Sequence, residues 1–400
     1  MRRIHRRATT RPSPVGPQAW LSLLGLVAAV STGGWVAGSD AAAARVAIVL
    51  RDGATITGRV VVEAQDGGVL VEHDDGRYEI LEPDHLPGRP PEPAPAPEPD
   101  TPQALGRRIL AELPAGFDVH ITKHYVVCFD TSRDYAKWCG AVFERLHDAF
   151  NTFWTRAGLE VHDPERPLVV VIFADRRAYE AHAAADLGAA ASRVVGYYNM
   201  LSNRVTTYDL TGSDALANGR PRPAGTAGLA ILSSPAAAGL VSTLVHEATH
   251  QLAFNTSLHQ RLAPVPLWVS EGIATAFETP DLKNTRGWKG VGEVNALRLE
   301  QFLAGQRPGM IAAIIGDDEL FRQPDTALDA YAAAWALTHH LLHSRKADFA
   351  AYLRILAAKR PLAADSPAAR QEAFRAAFGE PAAVEQQVFK MAARLATARR

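Results

Sequence analysis

The stretch that decides the reading is PAAAGLVSTLVHEATHQLAFN, residues 235–255. Pro235 suits the first turn of a helix, where its missing N–H costs no bond. Val241, Leu244, Val245, Leu252 and Phe254 recur at helical spacing and predict a largely buried helix. Inside it stands His246-Glu247-Ala248-Thr249-His250. Positions i and i+4 lie one turn apart on one helix face, so both imidazoles can grip a single ion through neutral nitrogens. Zn²⁺ suits such a pair, with Zn–N bonds of ~2.0–2.1 Å. Glu247 follows the first histidine on the side where a metal-activated water would lie, which is the placement of a general base. The plain alternative is a surface helix with an ordinary His–His pair. A buried helix, however, rarely carries two His and a Glu without partners.

A catalytic zinc needs three protein ligands and one open position. Cysteine cannot supply the third, because the only two, Cys128 and Cys139, lie well upstream. Glu271 is the simplest candidate. It sits in PLWVSEGIATAFE, residues 266–278, where Leu267, Ile273, Ala274 and Phe277 keep helical spacing. Residues 258–265 contain Pro264 and give the chain room to reverse between the two helices. Gly272 leaves space for close packing of one helix on the other. Against this stands the reading of Glu271 as a solvated helix carboxylate.

Working outward, the N-terminal part is a targeting segment. Arg2, Arg3, Arg6, Arg7 and Arg11 precede an apolar run from about Ala19 to Gly38, and small residues follow at Ala41–Ala44. That order predicts a secretory signal over 1–44, cleaved after Ala44, with an uncleaved anchor as the alternative. Residues 45–86 alternate apolar and polar residues between Asp-Gly turns and predict four short strands, a small SH3-like β-barrel module. Residues 87–103 are a Pro-rich linker: eight of the 26 prolines fall in 87–102, predicting an extended segment that separates the module from the main domain.

Residues 104–400 form that main domain. DVHITKHYVVCFD reads as a hairpin or long strand, Tyr135–Thr155 as a helix and PLVVVIFAD (167–175) as a buried strand. Arg177–Leu187 reads as a short helix, 194–210 as two strands around Ser202-Asn203, and 211–232 as a mobile loop. Helices dominate after about Pro264. Strands and helices first, then helices, make an α+β fold.

HEATHQLAFN followed by WVSEGIATAFE resembles the gluzincin metallopeptidases, and within them the peptidase-MA-like domain of secreted bacterial proteins of unknown function. Gln251, Asn255, Trp268 and Glu271-Gly272 match that pattern. The match is sharp over 240–280 and looser over 115–350. The resemblance implies a zincin-like metallopeptidase domain, with His246, His250 and Glu271 as zinc ligands and Glu247 as base and later proton donor. It implies a sheet edge near Asn199–Asp209, where an extended peptide substrate could add as a strand. Tyr331, on a later helix within the matching region, is the candidate second donor to the oxyanion. A core tyrosine is the equal alternative, and His339, His340 and His343 are lesser candidates. The Gly-Ala-Met-Glu-Asn element of the large aminopeptidases is missing. Thr275 stands where thermolysin-like enzymes carry an Asp that supports a His ligand, which leaves that support unassigned.

The expected activity is therefore hydrolysis of peptide bonds in a peptide or protein substrate outside the cytoplasm, by a protein secreted, periplasmic or anchored facing outward. A catalytically inactive zinc-binding envelope protein is the competing reading. With 42 Lys+Arg against 43 Asp+Glu, no charge excess points to nucleic acid. Two cysteines exclude a disulfide scaffold and a multi-cysteine metal site. A Cys128–Cys139 disulfide and two separate buried thiols both remain open.

Overall fold

Two runs without a polar interruption, Tyr125–Phe129 (β8) and Leu168–Phe173 (β9), form the centre of the main sheet. Both are buried along their whole length, as parallel strands covered on two faces must be. The computed structural model describes residues 35–36, 45–86, 91–95, 101–210, 235–279, 288 and 290–399. Apart from Trp35 and Val36, the targeting segment over 1–44 lies outside these, as do the 211–232 loop and most of the Pro-rich stretch. No helix among the described residues is long and apolar enough to cross a membrane.

The main sheet has the order β10-β11-β9-β8-β7. Strand β7 (Asp118–Ile121) pairs antiparallel with β8, which runs parallel to β9. Beyond it β11 (Arg204–Tyr208) is parallel to β9, and β10 (Gly196–Asn199) closes the edge antiparallel to β11. The hairpin between β10 and β11 turns at Asn203, whose φ of 59° is the left-handed value that Asn tolerates. The edge on this side is thus β10, and the strand within the Asn199–Asp209 stretch expected there, β11, is an interior one.

Helices α1 (Pro102–Glu112) and α2 (Arg133–Arg156) cover opposite faces. Gly106 of α1 lies against Val119 and Val126, and Gly140 of α2 lies against His120, one residue on and therefore on the other face. Cys128 pairs with Val119 and so faces α1, whereas Cys139 belongs to α2. The sheet stands between them, both thiols are free and buried, and the disulfide alternative fails for that reason. Burial pushes the Cys128 thiol up to about 12, so it is inert. Helix α3 (Arg176–Leu187) joins β9 to β10 through a short 3-10 segment.

The C-terminal half is helical, as expected for the α+β order: α4 (Pro235–Asn255), α5 (Leu267–Phe277), α6 (Ala296–Gly305), α7 (Met310–Gly316), α8 (Glu319–Arg322), α9 (Ala327–Ser344), α10 (Lys346–Ala357), α11 (Pro367–Phe378) and α12 (Pro381–Ala398). Helix α9 is apolar nearly all round, with every residue from Ala330 to Leu342 buried, and packs against α5, α6 and α12.

The N-terminal module is an antiparallel sheet of order β5-β4-β3-β2-β6: β2 (Arg45–Val49), β3 (Thr55–Ala64), β4 (Val69–His73), β5 (Tyr78–Leu81) and β6 (Glu92–Pro93). A two-residue β1 (Trp35–Val36) pairs with β3. The two outer strands, β5 and β6, share no ladder among the described residues. The Pro-rich stretch is not a free spacer. Glu92–Pro93 pair with β2, at an edge that tolerates proline, and α1 already starts at Pro102. Nor is the module held apart from the main domain. Val62, Leu70 and Tyr78 share one apolar cluster with Leu262, and the Tyr78 amide donates to the Leu201 carbonyl at 2.8 Å.

Candidate metal centre

Helix α4 is fixed to the sheet from below. The Gln251 amide donates to the carbonyls of Val169 at 3.0 Å and Asn203 at 2.9 Å, and Asn255 bonds the Asn203 side chain. These are two of the residues that carry the family resemblance, and here their role is to set the height and rotation of the helix. Helix α5 starts where Pro266 ends the connecting loop, and the Leu267 amide donates to Asp318 at 3.0 Å.

Between the two helices three side chains converge. Nε2 of His246 lies 3.1 Å from Nε2 of His250 and 3.0 Å from Oε2 of Glu271. Nε2 of His250 is 3.5 Å from the same oxygen. Ligands ~2.0–2.1 Å from a tetrahedral ion stand about 3.3–3.4 Å apart, so this spacing fits one cation at the centre. All three residues are at most 1% exposed, and Oε1 of Glu271 is buried with no hydrogen-bond partner among the described residues. An orphaned carboxylate oxygen beside two imidazole nitrogens is costly without a cation. His246, His250 and Glu271 therefore form a group that could hold a metal ion.

The support for His246, left open by the sequence, is Glu278. Its Oε2 meets Nδ1 of His246 at 2.8 Å, while Oε1 accepts from Asn295 at 2.9 Å and from Arg298 at 3.1 Å. A carboxylate behind a ligating imidazole fixes its tautomer and raises its basicity. Glu278 is two helical turns beyond Glu271, on the same face, and that spacing was its one sequence signal. Thr275 instead bonds the helix backbone at Glu271 and Gly272.

Burial disfavours the imidazolium of His246, but Glu271 and Glu278 outweigh it and raise its pKa to about 10. Burial likewise opposes ionisation of Glu271, and His250 and His246 overcome it, bringing the carboxyl down to about 2. Glu278 is lowered against its burial, first by Arg298 and then by His246. Such a buried, mutually ionised set holds a proton where a divalent cation would otherwise sit.

Glu247 is buried beside the group, and its Oε2 accepts the amide N–H of Tyr198 at 2.9 Å. Strand β10 thus holds this carboxylate through its main chain, a contact that sequence alone did not show. Tyr331 is buried on α9, its ring edge-on to Phe321 at 5.6 Å. Burial lifts its phenol well above the usual range, and the charges of Glu271 and Glu247 lift it further. His339 and His340 of the same helix are buried on other neighbours, His339 packed between Trp335 and His343, and His340 bonded to Gln387 at 3.2 Å. Gly272 serves a different neighbour from the one expected. A Cβ there would meet Thr338 and Ala334 of α9, so its role is close packing of α5 on α9 rather than on α4.

A family model described as a protein of unknown function (DUF1570) matches residues 240–363, and that domain is present here. The match includes His246, Glu247, His250, Glu271, Glu278, Arg298 and Tyr331. No curated protein and no solved structure matches the chain.

Proposed function

We propose that this protein is an extracytoplasmic zinc-dependent peptidase of gluzincin type, acting on a peptide or protein substrate. The carrying observation is the convergence of His246, His250 and Glu271 with Glu247 one residue along the same helix. Two imidazoles and a carboxylate suit Zn²⁺. Bound there, the ion would supply a Lewis acid that activates water and polarises the scissile carbonyl. Glu247, steadied by the Tyr198 amide, takes the proton of the attacking water and returns it to the leaving amine. Tyr331 keeps its proton at neutral pH because burial and two carboxylates oppose ionisation, so it can donate to the developing oxyanion. The basic, apolar, small-residue order of the N-terminal segment supports a location outside the cytoplasm, with a membrane tether through that segment as one form of it.

One observation favours the second reading, a zinc-binding envelope protein without activity. The two histidines and both glutamates are sealed from solvent, as in a structural zinc site. The Glu247→Gln chain decides between them. The peptidase reading expects the zinc to stay and cleavage of a peptide library to vanish. Undiminished cleavage in that variant contradicts the mechanism, and a wild-type chain that cleaves nothing supports the second reading.

A further inference from the structure

A second set of imidazoles and carboxylates lies between the start of β8, the middle of α2 and the segment 157–167 that leads to β9. The rings of His124 and His147 stack with centroids 3.7 Å apart. Glu144 stands behind His124. Its Oε2 meets Nδ1 at 2.7 Å, and its Oε1 accepts the His124 amide at 2.8 Å and the Thr122 hydroxyl. A carboxylate at Nδ1 keeps the proton there and leaves Nε2 with a bare lone pair. That Nε2 is buried with no hydrogen-bond partner among the described residues, in a side chain only 8% exposed.

Both Nε2 atoms lie near one carboxylate, that of Asp163. Nε2 of His147 lies 3.2 Å from Oδ1 of Asp163, and Nε2 of His124 lies 3.8 Å from Oδ2. The Asn151 amide sits 3.2 Å from both His147 Nε2 and Asp163 Oδ1, which suits a ring nitrogen that accepts. His147 is buried, whereas Asp163 is largely exposed and open to solvent. No described residue satisfies the buried His124 nitrogen, which costs free energy unless a cation does.

We propose that His124, His147 and Asp163 form a second metal site, for a borderline divalent ion such as Zn²⁺, with Glu144 orienting His124. His124, Glu144 and His147 each bring a ligand atom within 4.8 Å of the others. The Glu144 oxygens are already filled by three donors, which gives it the orienting role and leaves Asp163 to ligate. Imidazole nitrogens with one carboxylate select zinc, copper or nickel over magnesium or calcium. The site staples the 157–167 segment to α2 and β8. That segment also reaches the end of α4, through the His162 amide and the Thr256 carbonyl at 3.2 Å, and the β module, through Arg166 and Glu72 at 3.0 Å.

The test uses the full chain, stripped with a chelator and dialysed against Zn²⁺ alone, with bound metal counted per chain. The wild type is expected to hold two ions and Asp163→Asn one. The His246→Ala chain, with the first centre removed, still holds one, and adding Asp163→Asn to it leaves none. Asp163 is exposed, so its substitution leaves folding intact. Two ions in Asp163→Asn, or none in His246→Ala, overturns the second site whatever becomes of the first.

Discussion

His246 and Glu278 are joined, Nδ1 to Oε2, at 2.8 Å, on the side of the imidazole turned away from the candidate metal centre. Arg298 and Asn295 hold the same carboxylate from behind, so orientation passes from α6 through Glu278 to the ligand. Loss of such an outer carboxylate costs about 10–100-fold in metal affinity. Glu278→Gln is expected to fall in that range, measured by competition with a zinc chelator. An unchanged affinity would reduce Glu278 to a structural ion pair with Arg298.

The protonation of the group sets a pH dependence in the metal-stripped protein. His246 is raised from 6.5 to about 10 on folding, so its contribution is full below pH 6.5 and is lost as pH rises towards 10. Glu271 is lowered from 4.5 to about 2, so its contribution is present above pH 4.5 and is lost as pH falls towards 2. Thermal melts in chelator should therefore show a decline on the alkaline side that His246→Gln removes. Saturating Zn²⁺ displaces the proton from His246 and should flatten the same limb.

Gly272 tests the packing of α5 on α9. A Cβ there would lie 2.0 Å from the Thr338 hydroxyl oxygen and 2.9 Å from the Ala334 carbonyl. Gly272→Ala is expected to cost at least about 1–3 kcal/mol, seen in denaturant unfolding. Adding Thr338→Ala should restore part of the loss, since the Ala334 backbone remains in the way.

The seat of the β module is testable at Arg261, whose guanidinium carbon lies 3.8 Å from the centre of the Tyr78 ring. Both residues are buried, so this cation–π contact contributes about 1–2 kcal/mol. Arg261→Ala should lower stability by that amount and speed proteolysis between residues 86 and 101. Equal cleavage rates in the two proteins would show that the apolar cluster holds the module without it.

Much of the candidate site was legible because its information is local. The spacing of His246 and His250 needs only a helix, and the apolar repeat around Glu271 fixes a second one. The continuous apolar run of β9 marked a strand covered on both faces, and Ser202-Asn203 marked the hairpin. What escaped depends on which elements meet. Periodicity gives the face of a residue but not its partner, so Glu278 could be placed on the face of Glu271 without its bond to His246. Sheet order is equally non-local: the motif named a strand edge near Asn199–Asp209, and only the crossover from β9 to β11 leaves β10 outermost. His339 and His340 stood as lesser candidates on spacing alone, and the packing of α9 among helices buries them and gives them other partners. The docking of the module rests on Tyr78 meeting Leu201 and Leu262, a contact between segments more than a hundred residues apart.

The central claim is that two imidazoles of α4 and one carboxylate of α5 share a single ion. X-ray absorption at the zinc edge tests it most directly, on the Asp163→Asn chain loaded with one equivalent of Zn²⁺. The expected spectrum shows two imidazole nitrogens with oxygen neighbours at about 2.0–2.1 Å, and the signal of one imidazole disappears in the added His250→Gln variant. A spectrum with sulfur neighbours, or one unchanged by His250→Gln and by Glu271→Gln, would contradict the account.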